Sequence, residues 1–206
     1  MILIGYSGHA YVAHGIVTAC GKQVTGYCDR EEKTENPFNL IYYGQEISTE
    51  GLAAIREAGY FIAIGNNDLR KLVFTALERL NLFPETIVHP TATISPSASV
   101  SNFGTMIPAG VIINPLAKVG KAVICNTGCI IEHECQIGDF AHVGPGAVLC
   151  GNVKVGEKSF VGAKSVVREG ITIGKNVIIG AGSVVVKDIP DNVIVMGNPA
   201  RILQKA

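Results

Sequence analysis

Asn126 to Gly151 reads NTGCIIEHECQIGDFAHVGPGAVLCG, and its spacing decides the fold. Aliphatic residues recur at every sixth position within it: Ile131, Ile137, Val143 and Leu149. Continued outward, the same step meets Ile113, Val119 and Cys125, then Val155, Val161, Val167, Ile173, Ile179 and Val185. Thirteen consecutive positions are apolar and twelve are aliphatic, in a chain that is 48% hydrophobic. Chance does not sustain such a run. The next position is glycine at 120, 138, 144, 156, 162, 174 and 180. Four residues after the aliphatic comes a small or apolar side chain, as at Ala117, Cys135, Ala141, Ala147 and Ser165.

A fixed short period marks stacked units, none of which buries its apolar face alone. Six fits neither a helical stripe nor strand alternation. It suits a short strand and a tight corner, repeated, with the aliphatic pointing to the axis and glycine easing the turn. The pattern resembles the hexapeptide repeat of left-handed parallel β-helices, three hexads to a triangular coil of about 18 residues. The left hand is implied by the resemblance alone, because ordinary parallel crossovers are right-handed. Ile94, Val100 and Met106 keep the same spacing, and one extra residue then shifts the frame to Ile113.

Residues 1–88 lack the repeat. Short apolar runs at Met1–Gly5, Val24–Cys28, Leu40–Tyr43 and Tyr60–Ile64 alternate with helical patterns, and Thr86–Val88 reads as a last strand. One helix follows Gly8, one spans Thr49–Ala58, and one runs from Asp68 to Leu80 with Leu69, Leu72, Val73 and Leu77 on its apolar face. This alternation predicts an open parallel α/β sheet of Rossmann-like type over 1–88, followed by an all-β helix over 89–206 with a C-terminal tail. In such sheets ligands lie beyond the carboxyl ends of the strands. Gly5-Tyr6-Ser7-Gly8-His9 opens a helix there, where free N–H groups face a phosphate. Asp29 ends the second strand, and Gly65-Asn66-Asn67 ends another. The turn is not GxGxxG, which argues against a nicotinamide cofactor.

The formal net charge is zero, from 17 basic and 17 acidic residues, which argues against nucleic-acid binding through a basic surface. No apolar run approaches 18 residues, so no spanning helix is expected. The start MILIGYSGHA lacks a basic leader and a long apolar core, and the cytoplasm is the expected compartment. The mean hydropathy of +0.33 points to apolar surface placed in subunit contacts. The cysteines at 20, 28, 125, 129, 135 and 150 form no CxxC and read as reduced packing residues, so no metal site is expected.

His133 and His142 are the only histidines in the regular repeat. Counting from Ile131, His133 lies at an outward corner, and His142, just before Val143, also faces out. Imidazole exchanges its proton near neutrality and suits a general base. Glu132 and Glu134 flank His133, and a carboxylate on one ring nitrogen would fix its tautomer.

With NTGCIIEHECQIGDFAHVGPGAVLCGNVKVG, GYSGH, FIAIGNNDLRK, IVHP and GNPAR on the page, the chain resembles the sialic-acid O-acetyltransferase-like branch of the hexapeptide acyltransferases. Within it, the chain is similar to bacterial N-acetyltransferases of nucleotide-linked 4-amino sugars. The resemblance implies a homotrimer using acetyl-CoA, without a metal, on a UDP- or GDP-linked amino sugar. It implies His133 as general base and Glu134 as the group raising its basicity. His142, Gly151, Ala163 and Ala181 would contact the cofactor, and Ser7, Gly8, His9, Asp29, Gly65 and Asn66 the nucleotide sugar. Relatives often carry two acidic residues where this chain has Cys28-Asp29. Two other readings stay open: O-acetylation of a sugar such as sialic acid, and a non-enzymatic nucleotide-sugar-binding module.

Overall fold

A computed structural model describes residues 1–205. The N-terminal part is a four-stranded parallel sheet of β1 (Ile2–Ile4), β2 (Gly26–Cys28), β3 (Ile41–Tyr42) and β4 (Tyr60–Ile62), in the order β3-β2-β1-β4. Strands β1, β2 and β4 are buried along their whole length, because helices cover both faces of the sheet. The helices are α1 (Gly8–Ala19), α2 (Thr49–Ala58) and α3 (Asn67–Glu78). Ser48 caps α2 by accepting the Gly51 N–H at 3.0 Å, and Asn66 caps α3 by accepting the Leu69 N–H at 2.9 Å. Strand order reverses between β1 and β4, so the loops after them flank the crevice where such sheets take ligands.

The rest is a left-handed parallel β-helix. Its strands are two residues long and pair in register with residues 18 positions away, as in His142 with Phe160, Gln136 with Lys154 and Val148 with Val166. Three faces result. One carries Met106, Ile124, His142, Phe160 and Ile178 outward and lies against the N-terminal domain; we term it the domain face. The second, the aliphatic face, carries Ile112, Ile130, Val148, Val166 and Val184 outward. The third, the polar face, carries Ser99, Lys118, Gln136, Lys154 and Thr172. All thirteen repeat positions from Ile113 to Val185 point to the axis and are at most 5% exposed. The buried hydroxyls are bonded rather than orphaned: Ser159 donates to the Gly174 carbonyl at 2.7 Å and Ser165 to the Gly180 carbonyl at 3.0 Å.

Local sequence readings shift in three places. The frame break falls one hexad earlier than expected. Val88 registers with Ile107, which is fully buried, so Ile107 and not Met106 points inward. Met106 and Ile124 turn outward to join the core of the N-terminal domain. The strand at Ile87–Val88 pairs with Met106–Ile107 and so opens the coil instead of closing the α/β sheet. On α3, Leu72 is exposed, and the buried face is Arg70, Val73, Phe74 and Leu77.

Candidate active site

The turn between β1 and α1 follows from Gly5, whose φ of +84° is open to glycine at no steric cost. A Cβ there would also lie 2.7 Å from Ile64 Cγ1, so the loops after β1 and β4 touch. Ser7 is the N-cap of α1, yet its side chain makes no cap hydrogen bond. The first-turn N–H groups therefore stay available to an anion, reinforced by the helix dipole. Next to them, reached through Ser7, is a cleft of about 570 Å³ lined by Gly5, Ser7, Asp29, Lys33, Gly65 and Asn66. Asp29 knits this cleft together. One carboxylate oxygen accepts the Tyr6 N–H at 2.9 Å; the other accepts the Arg30 N–H at 2.7 Å, with the Lys33 ammonium 3.4 Å away. Lone pairs remain for a ligand, but the first task of Asp29 is to join the ends of β1 and β2. Asn66 is similarly engaged, through its oxygen, in capping α3.

Gly65 links this cleft to a second one of about 450 Å³, between the start of α3 and Phe160, Asn176 and Asn192 of the coil. A Cβ at Gly65 would lie 2.6 Å from two atoms of the His9 ring, so only glycine lets His9 pack there. His9 stands edge-on to His142, ring centroids 5.4 Å apart, and Phe160 contacts His142 from the other side at 4.9 Å. His142 faces out of the coil as expected, but not into solvent. The ring does leave the coil outward, but α1 covers it and it is 4% exposed. Asn126 Oδ1 accepts the Thr127 N–H at 2.8 Å, which turns its NH2 toward His142 Nε2 at 3.1 Å. Nε2 is then the acceptor, and the proton of the neutral ring sits on Nδ1, a buried atom without a hydrogen-bond partner. Burial first, then the nearby Arg70 and His9, push the His142 pKa down to about 3.

His133 occupies the corner after the strand Ile130–Ile131, where the aliphatic face turns to the polar face. Its Nδ1 lies 3.2 Å from Glu134 Oε2, and both side chains are more than half exposed. Glu134 reaches back because its backbone is left-handed, with φ +61°. The ring lies over Gly151 of the next coil, where a Cβ would come 2.5 Å from His133 Cε1 and 2.6 Å from Nε2. Gly151→Ala is therefore expected to turn the imidazole aside. Steady-state kinetics should show a fall in kcat of roughly tenfold or more, on the scale of a misplaced general base, with little change in melting temperature.

Gly151, Ala163 and Ala181 sit at corners of the coil, and their N–H groups make no hydrogen bond among the described residues. Ala163 and Ala181 are stacked at the same edge, since a Cβ on Gly162 would meet the Ala181 nitrogen. Cys135, beside the histidine in sequence, is fully buried, and burial lifts its pKa to about 11, so it is no nucleophile. Among the described residues no group of three or more metal-ligating side chains exists.

Two clusters thus emerge in one chain. Ser7, Asp29, Gly65 and Asn66 line one cleft; Gly8 borders a neighbouring one, and His9 packs behind Gly65 against His142. His133, Glu134 and Gly151 form the other, on a different edge of the coil. Sequence reading missed Arg70, which is wholly buried where the two domains meet. The signal was present: Arg70 begins an i, i+3, i+4, i+7 stripe with Val73, Phe74 and Leu77.

Residues 1–77 match the family model described as PglD N-terminal domain, and residues 152–187 match the bacterial transferase hexapeptide model. A substituted form of perosamine N-acetyltransferase from Caulobacter crescentus, solved with CoA and GDP-perosamine, is 36% identical, with a TM-score of 0.91 over 99% of this chain and 96% of that one. The 1.0 Å structure of PerB from the same organism, also with CoA and GDP-perosamine, gives 36% identity and a TM-score of 0.89 over 98% and 96%. The acetyltransferase domain of PglB from Neisseria gonorrhoeae, with acetyl coenzyme A, gives 30% and 0.86 over 98% of each chain. With a cleft at the strand ends, a hexapeptide coil and likeness over nearly its full length, the chain belongs to the hexapeptide-repeat acetyltransferase family of perosamine N-acetyltransferase and the PglB acetyltransferase domain.

Proposed function

We propose that the protein transfers the acetyl group of acetyl-CoA to the amino group of a nucleotide-linked amino sugar, of the 4-amino-4,6-dideoxy type and with UDP as the first carrier to test. The observation that carries this reading is the pairing, in one chain, of an anion-accepting cleft at the strand ends with an outward His133–Glu134 pair on the coil. The 36% identity to a protein solved with CoA and GDP-perosamine supports the same class of substrates. In this reading Ser7, Gly8, His9, Asp29, Gly65 and Asn66 hold the nucleotide sugar. Gly151, Ala163 and Ala181 offer backbone N–H groups to the cofactor, and His142 forms the wall behind the thioester.

The chemistry needs one proton acceptor. The amine nitrogen attacks the thioester carbonyl, and His133 Nε2 takes the proton that nitrogen sheds. Glu134 accepts from Nδ1–H, which leaves Nε2 free and stabilises the imidazolium. Collapse of the tetrahedral adduct breaks the C–S bond, and the thiolate leaves as CoA with that proton. No acyl-enzyme is formed.

We further propose a homotrimer with the aliphatic face as its contact surface. Ile112, Ile130, Val148, Val166 and Val184 form one unbroken outward stripe, and Val166 is 38% exposed. Such a stripe favours association with another copy. His133 follows that stripe directly, so a partner chain would desolvate the imidazole, and an exposed His–Glu pair gains strength in that way. The screen is thiol release from acetyl-CoA against UDP-, GDP- and dTDP-linked 4-amino sugars, with NMR of the product. An N-acetyl resonance with stoichiometric thiol is expected. Release only with free sialic acid, giving an ester, would replace this reading with O-acetylation, and binding without any release would leave a binding module.

A further inference from the structure

We infer that Arg70 is a positioning residue that locks the nucleotide cleft to the coil and so sets where the sugar amine meets the acetyl group; the inference rests on the acetyl-transfer reading above. Arg70 lies on α3 and is 0% exposed. It has no carboxylate partner among the described residues. Its Nε donates to the Ala122 carbonyl at 2.8 Å. One terminal nitrogen donates to the Ile64 and Gly65 carbonyls, each at 3.0 Å. The other donates to Asn67 Oδ1 at 2.8 Å and the Phe140 carbonyl at 2.7 Å, with the Ala141 carbonyl at 3.4 Å. All five N–H groups are thus satisfied, and by both domains.

The acceptors are informative. Ala122 and Phe140 are corner residues of the coil with left-handed backbones, φ +51° and +59°. Their carbonyls, and those of Ile64 and Gly65, accept no backbone N–H among the described residues. Gly65 is also the residue against which His9 packs, and His9 packs on His142. One guanidinium therefore fixes the coil corners, the wall shared by both clefts and the His9–His142 contact. A buried arginine facing only carbonyls is a costly way to hold a fold together, and apolar residues often replace such groups without loss. Placement of the two domains is what it supplies. Burial lowers the Arg70 pKa to about 9, still charged at neutral pH. That charge, together with His9, opposes protonation of His142.

The test compares Arg70→Lys, Arg70→Met and the milder Asn67→Ala in the full-length protein. Calorimetric Kd values for UDP or GDP and for CoA should stay within about threefold of wild type, since each ligand is held inside one domain. The kcat per folded enzyme should fall by roughly tenfold or more in both Arg70 variants, and by less in Asn67→Ala, the scale expected of misplaced reactants. Histidine NMR of the ligand-free protein should show the His142 titration moving to higher pH in Arg70→Met but not in Arg70→Lys. A purely structural role would lower the melting temperature and leave the kcat per folded enzyme unmoved. If Arg70→Met does not fold, Arg70→Lys and Asn67→Ala decide. Unchanged kcat in folded Arg70→Lys and Asn67→Ala, or joint loss of nucleotide and CoA binding in them, overturns the inference. Wild-type protein inert toward every nucleotide amino sugar sinks instead the acetyl-transfer reading, and the NMR comparison still judges Arg70.

Discussion

Replacing His133 by alanine is expected to lower kcat by roughly 10²–10⁴-fold, the usual contribution of a positioned general base. The melting temperature should barely move. The side chain is 58% exposed, projects from a corner and packs no core. Its one polar partner among the described residues is Glu134 at 3.2 Å, and an exposed pair of that kind is worth about 0–1 kcal/mol. The fall should appear in kcat and kcat/KM alike, because the proton is taken during the chemical step and not on binding. Binding of CoA and of the nucleotide should persist. Wild-type turnover in this variant would remove His133 from the mechanism and turn attention to a proton path through solvent.

A large effect on stability is expected for Gly162→Ala. The added methyl would stand 2.5 Å from both the Ala181 nitrogen and the Ile179 carbonyl, which are backbone atoms of the next coil. No side chain can swing away to make room. The coils cannot part either, since the Gly162 N–H donates to the Ile179 carbonyl at 2.8 Å. Overpacking usually costs about 1–3 kcal/mol, and a clash with backbone belongs at or above the upper end. Gly182→Ala is the control. No atom lies within 4 Å of its would-be Cβ, so only its left-handed φ of +69° opposes the change, at about 1–2 kcal/mol. Differential scanning calorimetry should rank Gly162→Ala well below Gly182→Ala and wild type. Equal melting temperatures for the two variants would mean that the coils are spaced more widely at that edge.

The coil was legible because its interior is severe. A position that points to the axis of so narrow a prism admits only an aliphatic or a small side chain, so the six-residue period survives in the letters themselves. The frame break was less so. Met106 and Ile107 are both apolar, one for the coil and one for the neighbouring domain, and hydrophobicity alone cannot tell two cores apart. The same ambiguity hid the burial of His142. Repeat arithmetic sends it outward correctly, but nothing local states that α1 lies over that face. Leu72 shows the converse: helical periodicity places it beside Val73, yet it opens onto the cleft. Ser7, Gly65 and Asp29 were legible through general rules about strand ends and helix starts. For Arg70 the helical stripe marked a buried position, but its role was hidden, because its partners are mostly backbone carbonyls, which carry no mark in a sequence.

In one chain the His133 cluster and the nucleotide cleft stand on different elements, so the proposal stands or falls on a site shared between copies. Subunit complementation measures this directly. Gly8→Glu sets a carboxylate at the start of α1, against the phosphates, without crowding, since a Cβ at Gly8 meets nothing within 4 Å. Alone, His133→Ala and Gly8→Glu should each be nearly inactive. Co-expressed with different tags and purified as mixed trimers, they should regain about one third of wild-type activity, because one interface in three then pairs an intact histidine with an intact cleft. Mixed assemblies that stay as inactive as their parents would contradict the account and confine the reaction to a single chain.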